Sequence, residues 1–332
     1  MRAMILDTDI GTDVDDAMAL SLALALPALE LVGVTTVHAD AGLRARIARR
    51  LLELAGRRDI PVVPGASMPL QMPLPPNFTW MPRLRGHEGV GLLAPAELVP
   101  SENRDECADD AARFIIAQAA ARPGELTVVA VGALTNLARA IQREPRLADW
   151  LDSIVVMGGT VFAERFPFPP MLETNLNADP LAARIVFASG VPLTIVPMEV
   201  TTQVYLSPEQ RAAIRGWGRP LSDALVALME QMFEGLATLS TEAGLSDDFY
   251  QGRTFMHDPL AVYTAAASEL VTLRRMHVAL EVIDQVVRTM PYPARAPNCR
   301  VCVGVDAARF VQLWLERIAA LSAAAAELEL PA

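Results

Sequence analysis

The sequence predicts an α/β protein with a mostly parallel central sheet and helices on both faces. Three observations point there. Short runs rich in Val, Ile and Leu alternate with helical segments from Met4 to Val196, and such alternation packs parallel strands between helices. Hydrophobic residues make up 52% of the 332 residues and charged residues 20%, which supplies a large core and argues against disorder. From Ser207 to about Thr264 the strand signal fades, predicting a mainly helical C-terminal elaboration of one domain, residues 1–332.

Met4–Asp7 reads as a short buried strand running into an acidic loop. Asp15–Leu26 reads as a helix whose first-turn carboxylates suit the positive end of its dipole. Leu29–Val37, rich in Val and Thr, is the next strand. Leu43–Ala55 follows as a helix with Arg44, Arg46, Arg49 and Arg50 assigned to its wet side, and Ile60–Val63 is a third strand. Pro69–Pro76 and Asn77–Gly91 form a long connection containing Pro and Gly; loops of that length inside a compact domain are often functional. Helix Ala108–Ala121, strand Leu126–Val131, helix Thr135–Arg143 and strand Ile154–Met157 come next. After irregular Gly158–Asn177, helix Pro180–Ser189 and strand Pro192–Val196 complete the alternation. Further strands are predicted near Val271–Val282 and Arg300–Val305, with a closing helix from Asp306. In such a sheet ligands sit at the carboxyl ends of the strands, which selects the loops after Leu6, Val37, Val131 and Met157.

Net charge is −11 and Lys and Arg form no large cluster, so nucleic acid is not an expected partner and a cation is. The three cysteines are an odd set. Cys299 and Cys302 have metal or redox spacing but stand in an apolar strand-like run, where they are expected to pack as small apolar side chains. The longest apolar stretch, Ala17–Leu26, ends at Pro27 and is too short to span a bilayer. Met4–Leu6 is followed at once by Asp7 and Asp9, which interrupt any apolar leader, so a cytoplasmic setting is expected.

The segment from Asp7 to Asp16 places five carboxylates, Asp7, Asp9, Asp13, Asp15 and Asp16, in ten residues. Like charges about 4 Å apart repel by about 1 kcal/mol per pair in water and more in a lower dielectric. A folded chain tolerates that crowding with a compensating cation or strong hydrogen bonding. Hard oxygen ligands at this density favour Ca²⁺ or Mg²⁺ over zinc, and a helix cap alone needs only one or two of them.

Leu6-Asp-Thr-Asp-Ile-Gly-Thr-Asp-Val-Asp-Asp-Ala-Met-Ala-Leu20 resembles the N-terminal signature of the inosine–uridine nucleoside hydrolase family. The resemblance extends from residue 5 to about 310 and implies that family's Rossmann-like fold, bound Ca²⁺, hydrolysis of ribonucleosides and a homodimer or homotetramer. It implies that Asp9 and Asp16 bind calcium, that Asp9 is the general base for a metal-bound water, and that Asp15 holds a ribose hydroxyl. The stretch between Asp9 and the Asp15–Asp16 pair is two residues longer than the shorter family form, which makes Asp13 an extra candidate. Val128–Leu137 resembles the second family motif, in which the carbonyl matching Val131 binds calcium. Glu173 and Asn175 match the family's ribose ligands; two apart in an extended stretch, their side chains would share one side. No residue among Phe166–Pro170 matches an upstream family Asn. Asn177 reads as a turn residue or as a substitute for that Asn, the former preferred, and Asp179 before Pro180 as a helix cap. In Met256–Ala261, Asp258 matches the last calcium carboxylate and His257 the proton donor to the leaving base, a role suited to a His near its free pKa.

Two positions depart from the family. Ala39-Asp40 replaces a common Gly-Asn, leaving Asp40 as a candidate acceptor for a ribose hydroxyl. In Arg85–Gly91 an arginine stands where the family has histidine, with His87 as the nearby candidate for substrate contact. Trp80 and Phe249-Tyr250 are candidates for stacking on a base or, equally, for packing in the core or a lid. One alternative is a haloacid dehalogenase-type phosphatase using Asp7 as nucleophile, with Asp9 beside it. Another is a homologue that binds calcium and ribose without catalysis. The sequence leaves base preference open.

Overall fold

The computed structural model describes residues 1–71, 86–101, 106–165, 173–243, 252–283 and 286–328, with residues 236–243 described only as helical backbone. The chain begins with β1 (Arg2–Thr8), α1 (Asp15–Ala25), β2 (Leu29–Thr36), α2 (Ala41–Leu54) and β3 (Val62–Pro64). It continues through α3 (Asp110–Ala121), β4 (Leu126–Ala130), α4 (Thr135–Arg143), the single turn α5 (Leu147–Trp150) and β5 (Leu151–Met157). Next come the single turn α6 (Asn175–Ala178), α7 (Pro180–Phe187), β6 (Leu193–Val196) and a third single turn, α8 (Met198–Thr201). The remaining elements are β7 (Tyr205–Leu206), α9 (Pro208–Arg215), α10 (Pro220–Ala243), β8 (Thr254–Phe255) and α11 (His257–Ala266). They are followed by β9 (Val271–Met276), β10 (Val278–Ile283), β11 (Val286–Pro291), β12 (Cys299–Val305) and α12 (Ala307–Leu328).

The central sheet runs in the order β3-β2-β1-β4-β5-β6-β12-β9. Its pairs are parallel except β12 with β9. Both faces are covered, and the strands show it in their alternation. Met4 and Leu6 of β1 join the core formed with α1, α2, α11 and α12, while Ala3 and Ile5 join the core beneath α3, α4 and α7. Successive strand residues point to opposite faces, so a sheet buried on both sides is apolar at every position. From β1 the chain first builds outward through β2 and β3, then returns to add β4 on the other side. That reversal opens a crevice beyond the carboxyl ends of β1 and β4, and the acidic loop and Val131-Gly132 lie there.

Two predicted elements change. The strand expected over Val271–Val282 is two strands that part at His277: β9 pairs with β12 in the main sheet, and β10 pairs with β11 in a separate hairpin. Arg44, assigned to the wet side of its helix, is 1% exposed. It shares the phase of Ile47, Ala48 and Leu51, the buried stripe of α2. Cys299 and Cys302 are free and buried in β12, and burial pushes each thiol up to about 11, in keeping with packing and not with reactivity.

Candidate active site

The site is built where two helices start. Asp15 and Asp16 form the first turn of α1, and Asp258 lies in the first turn of α11. The two helices pack side by side, which brings together carboxylates far apart in sequence. Asp15, Asp16 and Asp258 are 6%, 3% and 3% exposed, and one carboxylate oxygen from each lies within 4.8 Å of the others. Thr8 Oγ1 donates to Asp16 Oδ1, and the Asp258 amide donates to Asp15 Oδ2 at 3.3 Å. Burial pushes all three carboxyls above their ordinary range, and the charges of their acidic neighbours push them further. Helix N-termini supply these three buried carboxylates with only partial charge. The charge of Arg44 reaches Asp16 as the smallest of the causes given for its shift, so three anions face one fixed cation among the described residues that act on them. The donor set, all hard oxygen, fits a hard divalent cation.

Asp9 is half-buried beside this cluster, and its charge is among the causes that raise Asp15, Asp16 and Asp258. Asp13 is exposed at the rim, near enough to raise Asp15 and Asp258. Gly11 turns the loop with φ 119°, and a β-carbon there would stand 2.6 Å from Ile47 Cδ1, so this position requires glycine. Asp7 faces away into the core. It is 0% exposed, and its Oδ1 accepts from Thr35 Oγ1 at 2.6 Å and Asn136 Nδ2 at 2.8 Å. Burial pushes its carboxyl up to about 7. A carboxyl enclosed in this way cannot attack a phosphate ester, which removes the phosphatase alternative.

The sugar candidates lie across the crevice. Asn175 Nδ2 donates to the Val131 carbonyl at 2.9 Å and to the Met157 carbonyl at 3.0 Å, tying the ends of β4 and β5 together. Glu173 is 2% exposed and accepts from the Leu176 amide at 3.1 Å and from Asn177 Nδ2 at 3.0 Å; burial pushes it up to about 7. The expected extended geometry is corrected here: Asn175 begins the turn α6, and Glu173 accepts from that turn in the manner of a cap. Asn177 is buried rather than a simple turn residue, and its Oδ1 accepts from the Val287 amide of the hairpin at 2.7 Å. Asp179 caps α7, accepting from the Ala182 amide at 3.0 Å.

His257 opens α11 next to Asp258. Its Nδ1 lies 2.7 Å from Thr201 Oγ1 on α8, and its ring lies 5.3 Å from that of Phe255. Burial pulls this imidazole down to about 4. The ring is therefore neutral at neutral pH, which corrects the expectation of a His near its free pKa. Thr201 Oγ1, which also donates to the Met198 carbonyl at 3.3 Å, holds Nδ1 in place, and a neutral imidazole keeps one N–H that can donate a hydrogen bond.

Two candidates are engaged elsewhere. Asp40 is 0% exposed and caps α2; it accepts from the Leu43 amide at 2.8 Å, the Ser101 amide at 2.7 Å and Ser101 Oγ at 2.8 Å. These bonds occupy both carboxylate oxygens, so Asp40 serves as a cap and not as a sugar acceptor. His87 Nε2 donates to the Thr12 carbonyl at 2.7 Å, which makes it a brace for the acidic loop. Trp80, Arg85, Phe166–Pro170 and Phe249-Tyr250 lie outside the described residues. Thr201, Asn136 and Glu88 escaped the sequence reading, since each acts through a partner that only folding supplies.

Residues 4–312 match the model of the inosine-uridine preferring nucleoside hydrolase family. Uridine nucleosidase 1 of Arabidopsis thaliana is 32% identical over 84% of this chain and 78% of that protein. A pyrimidine-specific ribonucleoside hydrolase of Citrobacter koseri is 30% identical over 95% of this chain and 97% of its own length. Among solved structures, a purine-preferring ribonucleoside hydrolase from Gardnerella vaginalis superposes with a TM-score of 0.77 at 27% identity, covering 97% of this chain and 99% of that one. The chain belongs to the inosine–uridine preferring nucleoside hydrolase family and is a nucleosidase, hydrolysing the N-glycosidic bond of ribonucleosides.

Proposed function

We propose that this nucleosidase works with Ca²⁺ held by Asp9, Asp16, Asp258 and the Val131 carbonyl, and uses Asp9 as its general base. The observation that carries the proposal is the buried carboxylate cluster of Asp15, Asp16 and Asp258 with Asp9 at its edge. A bound calcium ion supplies positive charge that lowers the pKa of water and orients sugar hydroxyls. Asp9, half-buried, accepts the proton of the attacking water. Asp15, Glu173 and Asn175 hold the ribose hydroxyls as acceptors, Asn175 through Oδ1 because its Nδ2 hydrogens go to the Val131 and Met157 carbonyls. The surrounding carboxylates stabilise the positive charge that develops on the sugar ring as the glycosidic bond breaks. His257, neutral and held by Thr201, donates a hydrogen bond from Nε2 to the departing base.

The named relatives act on uridine or pyrimidine nucleosides in some cases and on purine nucleosides in another. The deciding experiment is release of free ribose from uridine, cytidine, inosine, adenosine and guanosine, with and without chelator. Turnover that chelator abolishes and Ca²⁺ restores supports the proposal. Full turnover in chelator sinks it, and tight calcium binding without turnover would favour the non-catalytic alternative. The proposal includes a single catalytic domain, a cytoplasmic setting and a homodimer or homotetramer. No described helix is long and apolar enough to cross a membrane.

A further inference from the structure

Arg44 is a fully buried cation one turn into α2, and its guanidinium faces the acidic loop. Nε donates to the His38 carbonyl at 2.8 Å, Nη1 to the carbonyls of Asp9 and of Ile10, the latter at 2.9 Å, and Nη2 to Thr12 Oγ1 at 3.1 Å. These partners are three backbone carbonyls and a hydroxyl, so the planar fork is satisfied by neutral acceptors while its charge stays close to Asp16. The backbone is bent to suit. His38 and Ala39 hold φ of 72° and 59°, a left-handed pair without glycine, which folds tolerate where the surroundings over-determine it. Thr12 relays the contact: its Oγ1 donates to Glu88 Oε1 at 3.1 Å, and its carbonyl accepts from His87.

We propose that Arg44 is a positioning residue, whose guanidinium fixes the carbonyl edge of the acidic loop from Asp9 to Thr12 and thereby presents Asp9 to the carboxylate cluster before a cation or substrate arrives. Through Thr12 it ties the loop carrying His87 and Glu88 to the same frame. The catalytic consequence rests on the role given to Asp9 above; the structural one does not.

The test compares Arg44→Met, Arg44→Lys and Thr12→Val with the parent protein. Amide hydrogen exchange over residues 9–16 is measured in chelator, and Ca²⁺ binding is measured by calorimetry. In Arg44→Met, exchange over 9–16 speeds up while β4 and β5 stay protected. Calcium affinity falls about 10- to 100-fold, the range seen when a group orienting a metal ligand is lost, and kcat falls more than KM. Arg44→Lys recovers neither, because an ammonium on a flexible stem cannot span three carbonyls and a hydroxyl together. Unchanged exchange and affinity in Arg44→Met, or full recovery in Arg44→Lys, overturns the proposal. If Arg44→Met fails to fold, Thr12→Val decides: faster exchange over residues 9–16 and 86–91 supports it, and unchanged exchange refutes it. A parent protein that binds no calcium would end the cation assignment, and the exchange data would still judge Arg44.

Discussion

Gly132 lies against Asp9 so closely that a β-carbon on it would stand 2.9 Å from both the Asp9 amide nitrogen and Asp9 Oδ1. The turn after β4 therefore shapes the space in which the Asp9 carboxylate sits. Gly132→Ala should displace that carboxylate and lower kcat by at least about tenfold, because small misplacements of a reacting group cost that much or more. The accompanying loss of stability should be about 1–3 kcal/mol, as for other overpacked sites. Kinetics together with thermal melts check this; normal kcat in a well-folded variant would show that Asp9 is not constrained from this side.

Asp9→Asn should leave the circular dichroism and melting behaviour close to those of the parent while kcat falls by about 100-fold or more, the usual contribution of a positioned base. Near-normal ribose release would refute the base assignment.

Stability should depend on pH in opposite senses with and without calcium. In the unfolded chain Asp15, Asp16 and Asp258 ionise near 3.8, whereas in the folded, cation-free chain burial and mutual repulsion hold their protons to higher pH. For these carboxyls the folded state binds more protons, so in chelator their contribution is greatest in acid and is lost as pH rises above about 4, while His257, pulled from 6.5 down to about 4, acts in the opposite sense between those values. Asp7 and Glu173, each raised to about 7, add to the trend of the carboxyls. Saturating Ca²⁺ should raise the melting temperature most at pH 7 to 8 and should release protons on binding. A melting temperature in chelator that climbs steadily from about pH 6.5 to 8, above the range of His257, would contradict the cluster's electrostatics.

Thr201→Val removes the hydroxyl 2.7 Å from His257 Nδ1 and with it the contact that orients the ring. Turnover should fall about tenfold for nucleosides with poor leaving bases, and far less for a p-nitrophenyl riboside, whose leaving group needs no hydrogen-bond donor. Equal losses on both substrates would mean that His257 does not assist the leaving group.

Asp40→Ala should cost about 1–2 kcal/mol through the lost cap on α2, with KM for nucleosides unchanged. A large rise in KM at unaltered stability would return Asp40 to the sugar site.

The order of strands and helices from β1 to β6 was legible in the sequence because short apolar runs alternate with helical segments, whereas the β10–β11 hairpin was not. The acidic loop was legible too, since five carboxylates in ten residues have few uses other than gathering a cation. Arg44 left a fainter trace: its phase with Ile47, Ala48 and Leu51 marks a buried position that its charge alone would not suggest. What the tertiary structure decided depends on contacts between distant segments. The meeting of Asp258 with Asp15 and Asp16 needs two helix N-termini to pack side by side. The neutral state of His257 follows from the burial of its ring, and the capture of Asp40 by Ser101 from a loop 61 residues away. No local pattern encodes these outcomes, because the charge state and partners of a side chain depend on the solvent that folding removes and on the groups that folding brings near.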